Sequence, residues 1–309
     1  MPWVCSHAAK LEQIPTQTML TDPTQLSKAL QNAQKLYDYD AVINIFDPTV
    51  EAEACGCPIR WGGPYELPSA LPHPAGDFKE IARLDISNLE KKGRLPVILE
   101  ATRRLKLVLG RKVAIIGVVT GPLAIAASLT GGDVVQALEE GRQEAENVLK
   151  LAARVTLEIC KAYSGLELDV IVLAEGRLES LYAMKHAERL RSLFRPVWNI
   201  VRYHNAYSVL LTKQANLSNL EHLSSFGADG VVVSAGVGPL NTDGLQKSSC
   251  VVGMGLPSSI LLTKEGGAGE YVARTLQAGR DRRFFITTEW EIPSDTFPEN
   301  LHEIMKAIP

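Results

Sequence analysis

Two carboxylic acids follow directly after apolar stretches of the chain, where strands would end. Asp47 comes after Phe46, and Glu175 comes after the fully apolar Val170–Ala174. Asp47 could accept a hydrogen bond from a substrate or act as a base, although Asp-Pro-Thr is equally a helix-capping sequence. Partial burial beside an apolar strand raises the pKa of a carboxyl group. Glu175 is therefore a candidate proton donor, with pairing to Arg177 as the alternative.

Basic and aromatic side chains hold comparable positions elsewhere in the chain. Lys213 could bind a carboxylate or, if desolvated, form a Schiff base, whereas a solvated lysine is the commoner case. Trp290 could stack on a flat ring or simply plug the mouth of the site. The sequence predicts two sets of site residues, which are catalytic Asp47, Glu175 and His7, and substrate-binding Trp290, Lys213, Lys10 and Glu289.

The elements that would position these residues alternate regularly along the chain. Short β-branched apolar runs alternate with longer stretches of helical periodicity, a pattern typical of parallel strands joined by helices. Eight runs are predicted as strands: 3–6, 41–46, 113–119, 169–174, 207–212, 230–234, 251–254 and 284–287. Helices are predicted at 23–37, 96–109, 134–163, 184–204, 216–226, 269–278 and 298–307. Eight strands are what a closed barrel needs, so the sequence predicts an α/β fold, a single (β/α)8 TIM barrel.

The chain shows no break that resembles a domain linker. The proline- and glycine-rich stretch 64–74 is interpreted as an insertion ahead of the third strand, and we expect residues 1–309 to form one domain. In such a barrel, the carboxyl ends of the strands and the loops after them form the active face. The predicted site residues all follow strands, so they would meet there.

Composition limits the class of protein. Of 309 residues, 46% are hydrophobic and 22% are charged, and the formal net charge is -3. The basic residues are scattered, so nucleic-acid binding is not expected. No apolar run is long enough for a bilayer span and Met1-Pro2-Trp3-Val4 lacks signal-peptide features, so we expect a cytoplasmic protein without a membrane segment. Five dispersed cysteines argue against a disulfide framework.

Four stretches of the chain resemble the uroporphyrinogen decarboxylase superfamily. Residues 40–57, Asp-Ala-Val-Ile-Asn-Ile-Phe-Asp-Pro-Thr-Val-Glu-Ala-Glu-Ala-Cys-Gly-Cys, are similar to its second strand, with the aspartate and acidic helix that follow. Residues 119–129 look like the Gly-Pro turn and helix after the third strand. Residues 227–229 match the beginning of the sixth strand, and residues 291–300 match the last loop. The resemblance covers nearly the whole chain in order and implies the same barrel.

The chain departs from the porphyrin decarboxylases of that superfamily at substrate-binding positions. Those enzymes carry Met-Arg-Gln-Ala-Gly-Arg after the first strand, whereas the segment here is His7-Ala-Ala-Lys10. Ser128 stands where they use a tyrosine, and Trp290 stands where they use a histidine. Of their central constellation only Asp47 remains. A substrate with eight carboxylates would find few cationic partners, so the resemblance is nearer the corrinoid-dependent methyltransferase branch.

The methyltransferase branch moves methyl groups between a corrinoid protein and a thiol or an aryl ether, and many members hold zinc. Zinc lowers the pKa of a thiol or polarises an ether oxygen. In the thiol-specific members, the ligands are a His-x-Cys after the fifth strand and a Cys after the eighth. Those positions are Leu211, Lys213 and Trp290 here, and none can bind zinc. The resemblance therefore implies no thiolate zinc site. Any zinc would need other groups, and the cluster that the sequence offers at the active face is His7, Glu175 and Glu51 after the second strand.

The resemblance implies a methyltransferase component with two partners. One is a separate protein that carries the corrinoid (cobalamin) cofactor, and the other is a small methyl donor or acceptor, aromatic if it stacks on Trp290. A decarboxylase of a porphyrin-like or smaller acid is the alternative. A non-catalytic barrel subunit also stays open because the zinc ligands are missing. Exposed apolar faces on barrel helices make a homodimer a reasonable expectation.

Overall fold

The centre of the fold is a parallel sheet whose strands lie in sequence order. The computed structural model describes residues 1–178, 181–213, 215–234, 248, 250–264, 266–279 and 283–309. The strands in these ranges are β1 (Ala41–Ile43), β2 (Ile59–Arg60), β3 (Ser69–Ala70), β4 (Ala114–Thr120), β5 (Val170–Ala174), β6 (Tyr207–Leu211), β7 (Gly230–Ser234), β8 (Val251–Leu256) and β9 (Phe284–Thr288). Seven of them form the sheet in the order β1-β4-β5-β6-β7-β8-β9, with parallel pairing throughout.

The register of the sheet brings the ends of its middle strands level. Thr120 at the end of β4 pairs with Ala174 at the end of β5, which in turn pairs with Leu211 at the end of β6. Because the strands run in one direction, the residues just after these ends meet at one side of the sheet.

The predicted first strand, residues 3–6, is wrong in its extent. Trp3 forms one parallel bridge with Glu291, and the first helix already begins at Ser6, whose backbone N–H donates to Glu291 Oε1 rather than to a strand. The segment still runs beside β9, since the Trp3 N–H donates to Thr288 Oγ1 at 3.0 Å. On its other side, Trp3 packs edge-on against Phe46 with ring centroids 5.4 Å apart. The amino-terminal segment thus lies between the two edge strands of the sheet.

Helices join the strands and cover the sheet. They are α1 (Ser6–Leu11), α2 (Thr16–Thr21), α3 (Pro23–Tyr37), α4 (Val50–Ala54), α5 (Phe78–Ile81), α6 (Leu95–Leu109), α7 (Pro122–Thr130), α8 (Asp133–Glu139), α9 (Gln143–Ser164), α10 (Leu181–Lys185), α11 (Ala187–Tyr203), α12 (Leu220–Ser224), α13 (Ser258–Leu261), α14 (Ala268–Gly279) and α15 (Pro298–Ala307), with a 3-10 turn at Leu89–Lys91. Several begin at proline, which lacks the N–H that a first helical turn leaves unpaired. In α3, Asp22 also accepts the N–H groups of Thr24 and Gln25.

Two of the predicted helices are divided in the structure. The predicted helix 134–163 is α8 followed by α9, and Gly141 between them has a φ of +73°, a left-handed conformation that interrupts a helix. The predicted helix 184–204 is α10 followed by α11. The insertion predicted at 64–74 contributes β3, which pairs with β2 in a small antiparallel ladder.

The core is made by strands that are buried and by the inner faces of the helices. Val119, Leu173, Leu210 and Val232, each from a different strand, are almost fully buried. In the part of the chain that the structure describes, no helix has the length and apolarity to cross a bilayer.

Candidate active site

A cavity of about 390 Å³ opens beside the carboxyl ends of the sheet strands. This volume suits a small molecule. Phe46, Val118 and Trp290 give it apolar walls. The charged and hydroxyl-bearing side chains that also line it are Asp47, Glu51, Thr120, Ser128, Tyr163, Arg177 and Lys213. They come from separate strand ends and helices, so the fold brings them together from distant parts of the sequence.

Asp47, a predicted catalytic residue, lines this cavity, but protein donors already bind its carboxylate. Arg94 Nη1 donates to Asp47 Oδ2 at 2.6 Å, and the backbone N–H and hydroxyl of Thr49 donate to Oδ1 at 2.9 and 2.7 Å. Arg94 also pairs with Glu53 at 2.6 Å, and its guanidinium lies 4.9 Å from the centre of the Trp61 ring. The bonds to Thr49 fix the turn just before α4, but the N-cap of that helix is Thr49 and has no side-chain cap bond, so Asp47 does not cap the helix.

Glu51 lies on the first turn of α4 and is only 3% exposed. The backbone N–H of Thr120 donates to Glu51 Oε1 at 2.8 Å, and the Thr120 hydroxyl donates to Oε2 at 2.7 Å. Burial raises the pKa of Glu51, while the two hydrogen bonds from Thr120 act in the opposite direction. Glu51 is therefore a buried carboxyl group at the cavity wall that is held by neutral donors.

Glu175 lies behind the cavity wall and is fully buried. Its Oε2 accepts the N–H groups of Leu123 at 2.8 Å and Ala124 at 3.4 Å, at the start of α7, and its Oε1 accepts the N–H of Arg177 at 3.2 Å. Burial raises the pKa of Glu175 to about 7, against the effect of these hydrogen bonds. The residues on either side of it, Ala174 and Gly176, do line the cavity. Glu175 thus anchors a helix whose inner face belongs to the site.

The close packing around Glu175 depends on Gly121. A Cβ atom at this position would lie 2.5 Å from Glu175 Oε2 and 2.7 Å from its Cβ. The glycine of the Gly-Pro turn is therefore required by space, since its φ of -74° is one that any residue can adopt.

His7 and Lys10 lie away from the cavity. His7 is buried, with Nε2 2.8 Å from Tyr37 Oη and Nδ1 3.4 Å from the carbonyl oxygen of Ser294, and burial lowers its pKa. Lys10 donates to Asp295 at 2.5 Å on the surface. Both side chains connect the first helix to the last loop, and neither contributes to the cavity wall.

Lys213 and Trp290 lie together at the mouth of the cavity. Lys213 Nζ lies 5.0 Å from the centre of the Trp290 ring, and that ring meets Phe46 edge-on at 4.8 Å. The same two residues line a second cavity of about 570 Å³, to which Glu289 also contributes. The substrate-binding residues predicted after β6 and β9 therefore converge at this mouth.

The residues at the mouth do not suit zinc. Lys213 and Trp290, two of the three positions that correspond to the thiolate zinc site, face each other, and Leu211 is a buried aliphatic end of β6. Nowhere in the described ranges do three or more His, Cys, Asp or Glu side chains form a group that could hold a metal ion.

Sequence reasoning missed Arg94, Thr120 and Tyr163 at the site, and it placed Glu51 after the second strand without giving it a catalytic role. Arg94, the partner of Asp47, lies 47 positions further along the chain, so no local pattern links the two. Glu51 and Tyr163 lie within helices, where their types are ordinary. The sequence Thr-Val-Glu after Asp47 was the signal for Glu51, because one helical turn places that side chain beside the same strand ends.

Comparison with known proteins shows a family and a group of relatives. The model of the family described as Uroporphyrinogen decarboxylase (URO-D) matches residues 3–309. Two proteins named methylcobamide:CoM methyltransferase MtbA, from Methanosarcina mazei and Methanosarcina acetivorans, are 23% and 24% identical to this chain over 205 residues, or 62% of this chain. A methylcobamide:CoM methyltransferase MtaA from Methanosarcina barkeri is 27% identical over 161 residues, or 50% of this chain and 46% of its own length. The chain spans about 60% of the length of the first two relatives.

Solved structures share the fold. A methyltransferase from Methanosarcina mazei superimposes with a TM-score of 0.85 at 21% identity, over 98% of this chain and 90% of that one. A B12-independent methionine synthase from Shewanella sp. W3-18-1 gives a TM-score of 0.55 at 10% identity, over 92% of this chain and 85% of that one. These similarities confirm the predicted α/β TIM-barrel class.

Proposed function

We propose that this chain, which belongs to the uroporphyrinogen decarboxylase family, transfers a methyl group between a small molecule and a corrinoid carried by a separate protein. The observation that carries the proposal is that the relatives described above are named methylcobamide:CoM methyltransferases. The cavity supports it, because its volume and aromatic wall suit a small apolar or aromatic substrate.

The substrate is proposed to lie between Trp290 and the polar wall. Trp290 and Phe46 offer an aromatic surface, and Lys213 and Arg177 supply positive charge at the mouth. The second cavity adjoins the first at Lys213 and Trp290, so a corrinoid on a partner protein could approach from that side. No step in this proposal depends on zinc, since the residues at the thiolate positions do not fit it.

The predicted catalytic residues are proposed to act in different ways. Asp47 lines the cavity and is the one able to contact a substrate directly. Glu175 is proposed to hold α7 in place, and His7 to hold the amino-terminal segment against the last loop. Of the predicted binding residues, Lys213, Trp290 and Glu289 border the cavities, whereas Lys10 is proposed to support the fold only.

Porphyrin decarboxylation fits this cavity less well. Two cationic side chains line it, Arg177 and Lys213, and Arg94 behind it is already paired with Asp47 and Glu53. A porphyrinogen with eight carboxylates needs many more charge-assisted donors. Incubation with uroporphyrinogen tests this alternative, and coproporphyrinogen formed at enzyme-like turnover would restore it to first place.

Two assembly features are also proposed. Residues 1–309 act as one domain, and exposed large side chains such as Leu107, Tyr203 and Tyr207 provide surface for a homodimer. Sedimentation of the purified protein at several concentrations measures the second feature.

The direct test of the proposed function is anaerobic methyl transfer with free cobalamin in place of the partner protein. One arm supplies cob(I)alamin with aryl methyl ethers and methyl thioethers, and the other supplies methylcob(III)alamin with thiols. The corrinoid absorbance reports transfer in either direction. Protein-dependent transfer in one arm supports the proposal, and its absence from both arms would overturn it.

A further inference from the structure

We propose that Glu51 carries the proton that the substrate heteroatom takes up or releases during methyl transfer. This inference rests on the proposed function and adds a residue that the sequence did not single out as catalytic. The protein needs such a group, because a methyl ether or thioether that loses its methyl group departs as an alkoxide or thiolate.

The geometry distinguishes Glu51 from the other carboxyl groups of the site. Asp47 is bound to Arg94 at 2.6 Å, and both of its carboxyl oxygens already accept hydrogen bonds from the protein. Glu175 does not line the cavity, because its oxygens face the start of α7. Glu51 lines the cavity, is almost fully buried and accepts hydrogen bonds from the backbone N–H and the hydroxyl of Thr120, with no ion-pair partner in the described part of the chain. It is thus a cavity carboxyl group that can be neutral and hold a proton.

Thr120 gives this proton a route to the substrate. Its hydroxyl donates to Glu51 Oε2 at 2.7 Å, and Thr120 itself lines the cavity. A hydroxyl group is both a donor and an acceptor and can rotate between the two roles. When Glu51 is protonated, the hydroxyl can accept from the carboxyl group and donate toward the cavity.

Burial and the charge of Asp47 favour the neutral form of Glu51, against the effect of the hydrogen bonds from Thr120. Asp47, just before α4, raises the pKa of Glu51 through its charge, and burial is the larger cause of the shift. Two other titratable side chains interact with Glu51, namely Tyr163 of α9 and Cys55 after α4. Burial raises the pKa of each. The helix α7 contributes Ser128 to the cavity, and Arg94 ahead of α6 is already paired. No cation forms an ion pair with Glu51 in the described ranges.

The step is balanced with groups that the proposed reaction supplies. The bond between the methyl carbon and the heteroatom breaks, and its electron pair stays on the heteroatom. The cobalt(I) of the acceptor corrinoid provides the electron pair of the new cobalt–carbon bond. Glu51 gives its proton to the departing heteroatom, directly or through the Thr120 hydroxyl, and recovers one from solvent. In the opposite direction, ionised Glu51 accepts the proton of a thiol.

The experiment compares leaving groups within one variant. Wild type and Glu51→Gln are assayed with cob(I)alamin and a series of ring-substituted thioanisoles and anisoles, or with methylcob(III)alamin and a matched series of thiols if only that arm is active. Gln keeps the size of Glu51 and removes its proton.

We expect Glu51→Gln to lower kcat about 100-fold for the most basic leaving group, but only about threefold for the least basic, which departs without a proton. In the thiol series, kcat should fall most for the most weakly acidic thiol. Thr120→Val should show the same trend with a smaller loss, and Thr120→Ser should retain activity.

The ratio of kcat between two methyl donors does not depend on the fraction of the variant that is folded. Misfolding therefore cannot produce the expected trend. Glu158→Gln, which removes a surface carboxylate on α9, serves as the control and should leave the series unchanged. An equal loss for all leaving groups, or no loss for any, would overturn the role of Glu51 while leaving the proposed function standing. If the wild type transfers no methyl group in either arm, the proposed function fails, and this inference fails with it.

Discussion

The two sides of the candidate site treat their charged groups differently. On the side of β1, β4 and β5, the protein itself binds each carboxyl group, with Asp47 held by Arg94, Glu51 by Thr120 and Glu175 by the start of α7. On the side of β6 and β9, Lys213 and Trp290 contact each other at the cavity mouth, and Lys213 has no ion-pair partner in the described residues. The difference indicates that the protein itself fixes the polar groups of the first side, whereas the charged and aromatic groups of the second side are available to a ligand. Variants on the first side should therefore lower stability, and variants on the second should change substrate affinity.

The largest effect on stability is expected at Arg94. Arg94→Met removes the cation from a buried network and leaves the Asp47 carboxylate buried with only Thr49 as a donor. Breaking a buried ion pair in this way should lower the free energy of unfolding by about 3–5 kcal/mol. Urea unfolding at neutral pH measures the loss.

Two further variants show whether that loss comes from the unpaired charge. Adding Asp47→Asn to Arg94→Met removes the stranded carboxylate and should recover part of the stability. Arg103→Met, which breaks only a surface pair with Glu100, should change little. If the two single arginine variants were equally stable, the network around Arg94 would not be what fixes the first side of the site.

The second-largest effect is a pH dependence of the free energy of unfolding, and Glu175 causes it. Burial raises the pKa of this carboxyl from 4.5 to about 7, so the folded state holds the proton more tightly than the unfolded chain. Stability should therefore fall as pH rises from about 4.5 to about 7, by about 3 kcal/mol in total, and stay level above that range. Glu175→Gln resembles the protonated group and should remove this part of the slope.

Thermal or urea unfolding of the two proteins between pH 5 and pH 8 measures this difference. Glu291 has a pKa raised to about 7 by burial and remains in both proteins, so the slope of Glu175→Gln should be reduced rather than abolished. Parallel curves for wild type and variant would show that the helix start stabilises the Glu175 carboxylate more than burial destabilises it.

The third effect concerns the space around Glu175. Gly121→Ala would place a Cβ atom 2.7 Å from the Glu175 Cβ, so the start of α7 must shift. Overpacking of this kind should cost about 1–3 kcal/mol. Gly165→Ala is the matched control, because its nearest atoms would be 3.5 and 3.8 Å away and its φ is -65°. Unchanged stability in Gly121→Ala would mean that α7 adjusts freely, and the wall it forms could not be called rigid.

Much of the fold could be predicted because its strands are buried and regularly spaced. The predicted strand 230–234 matches β7, and the predicted helices 23–37 and 298–307 match α3 and α15. The first predicted strand failed because its composition is that of a buried strand, while its pairing is decided by Glu291, far away in sequence. Glu291 binds the N–H of Ser6 and starts a helix there.

The site could be predicted only as far as strand ends reveal it. Asp47, Lys213 and Trp290 follow strands, and parallel strands bring such residues to one edge, so they border a cavity as expected. His7 follows the amino-terminal segment but is buried against Tyr37. The local sequence does not distinguish a residue that lines the cavity from one that is buried in this way. Arg94 and Thr120 were missed because their importance lies in partners 47 and 69 positions away.

The smallest effect tests the second side of the site and concerns affinity alone. Lys213 is exposed at the mouth, so Lys213→Met should leave the unfolding midpoint almost unchanged. If the cation meets an anionic group of the substrate, the KM for a carboxylated aryl methyl ether should rise about tenfold, equivalent to about 1.4 kcal/mol, with kcat unchanged. The KM for the uncharged methyl ester of the same compound should stay constant, because that compound gains nothing from the cation. Lys161→Met, on the outer surface of α9, controls for the loss of one positive charge.

Lys10→Met is the competing variant, since the sequence predicts Lys10 as substrate-binding, whereas the structure pairs it with Asp295 away from the cavity. A raised KM in Lys10→Met with none in Lys213→Met would place the substrate on the amino-terminal side and reverse the comparison between the two sides.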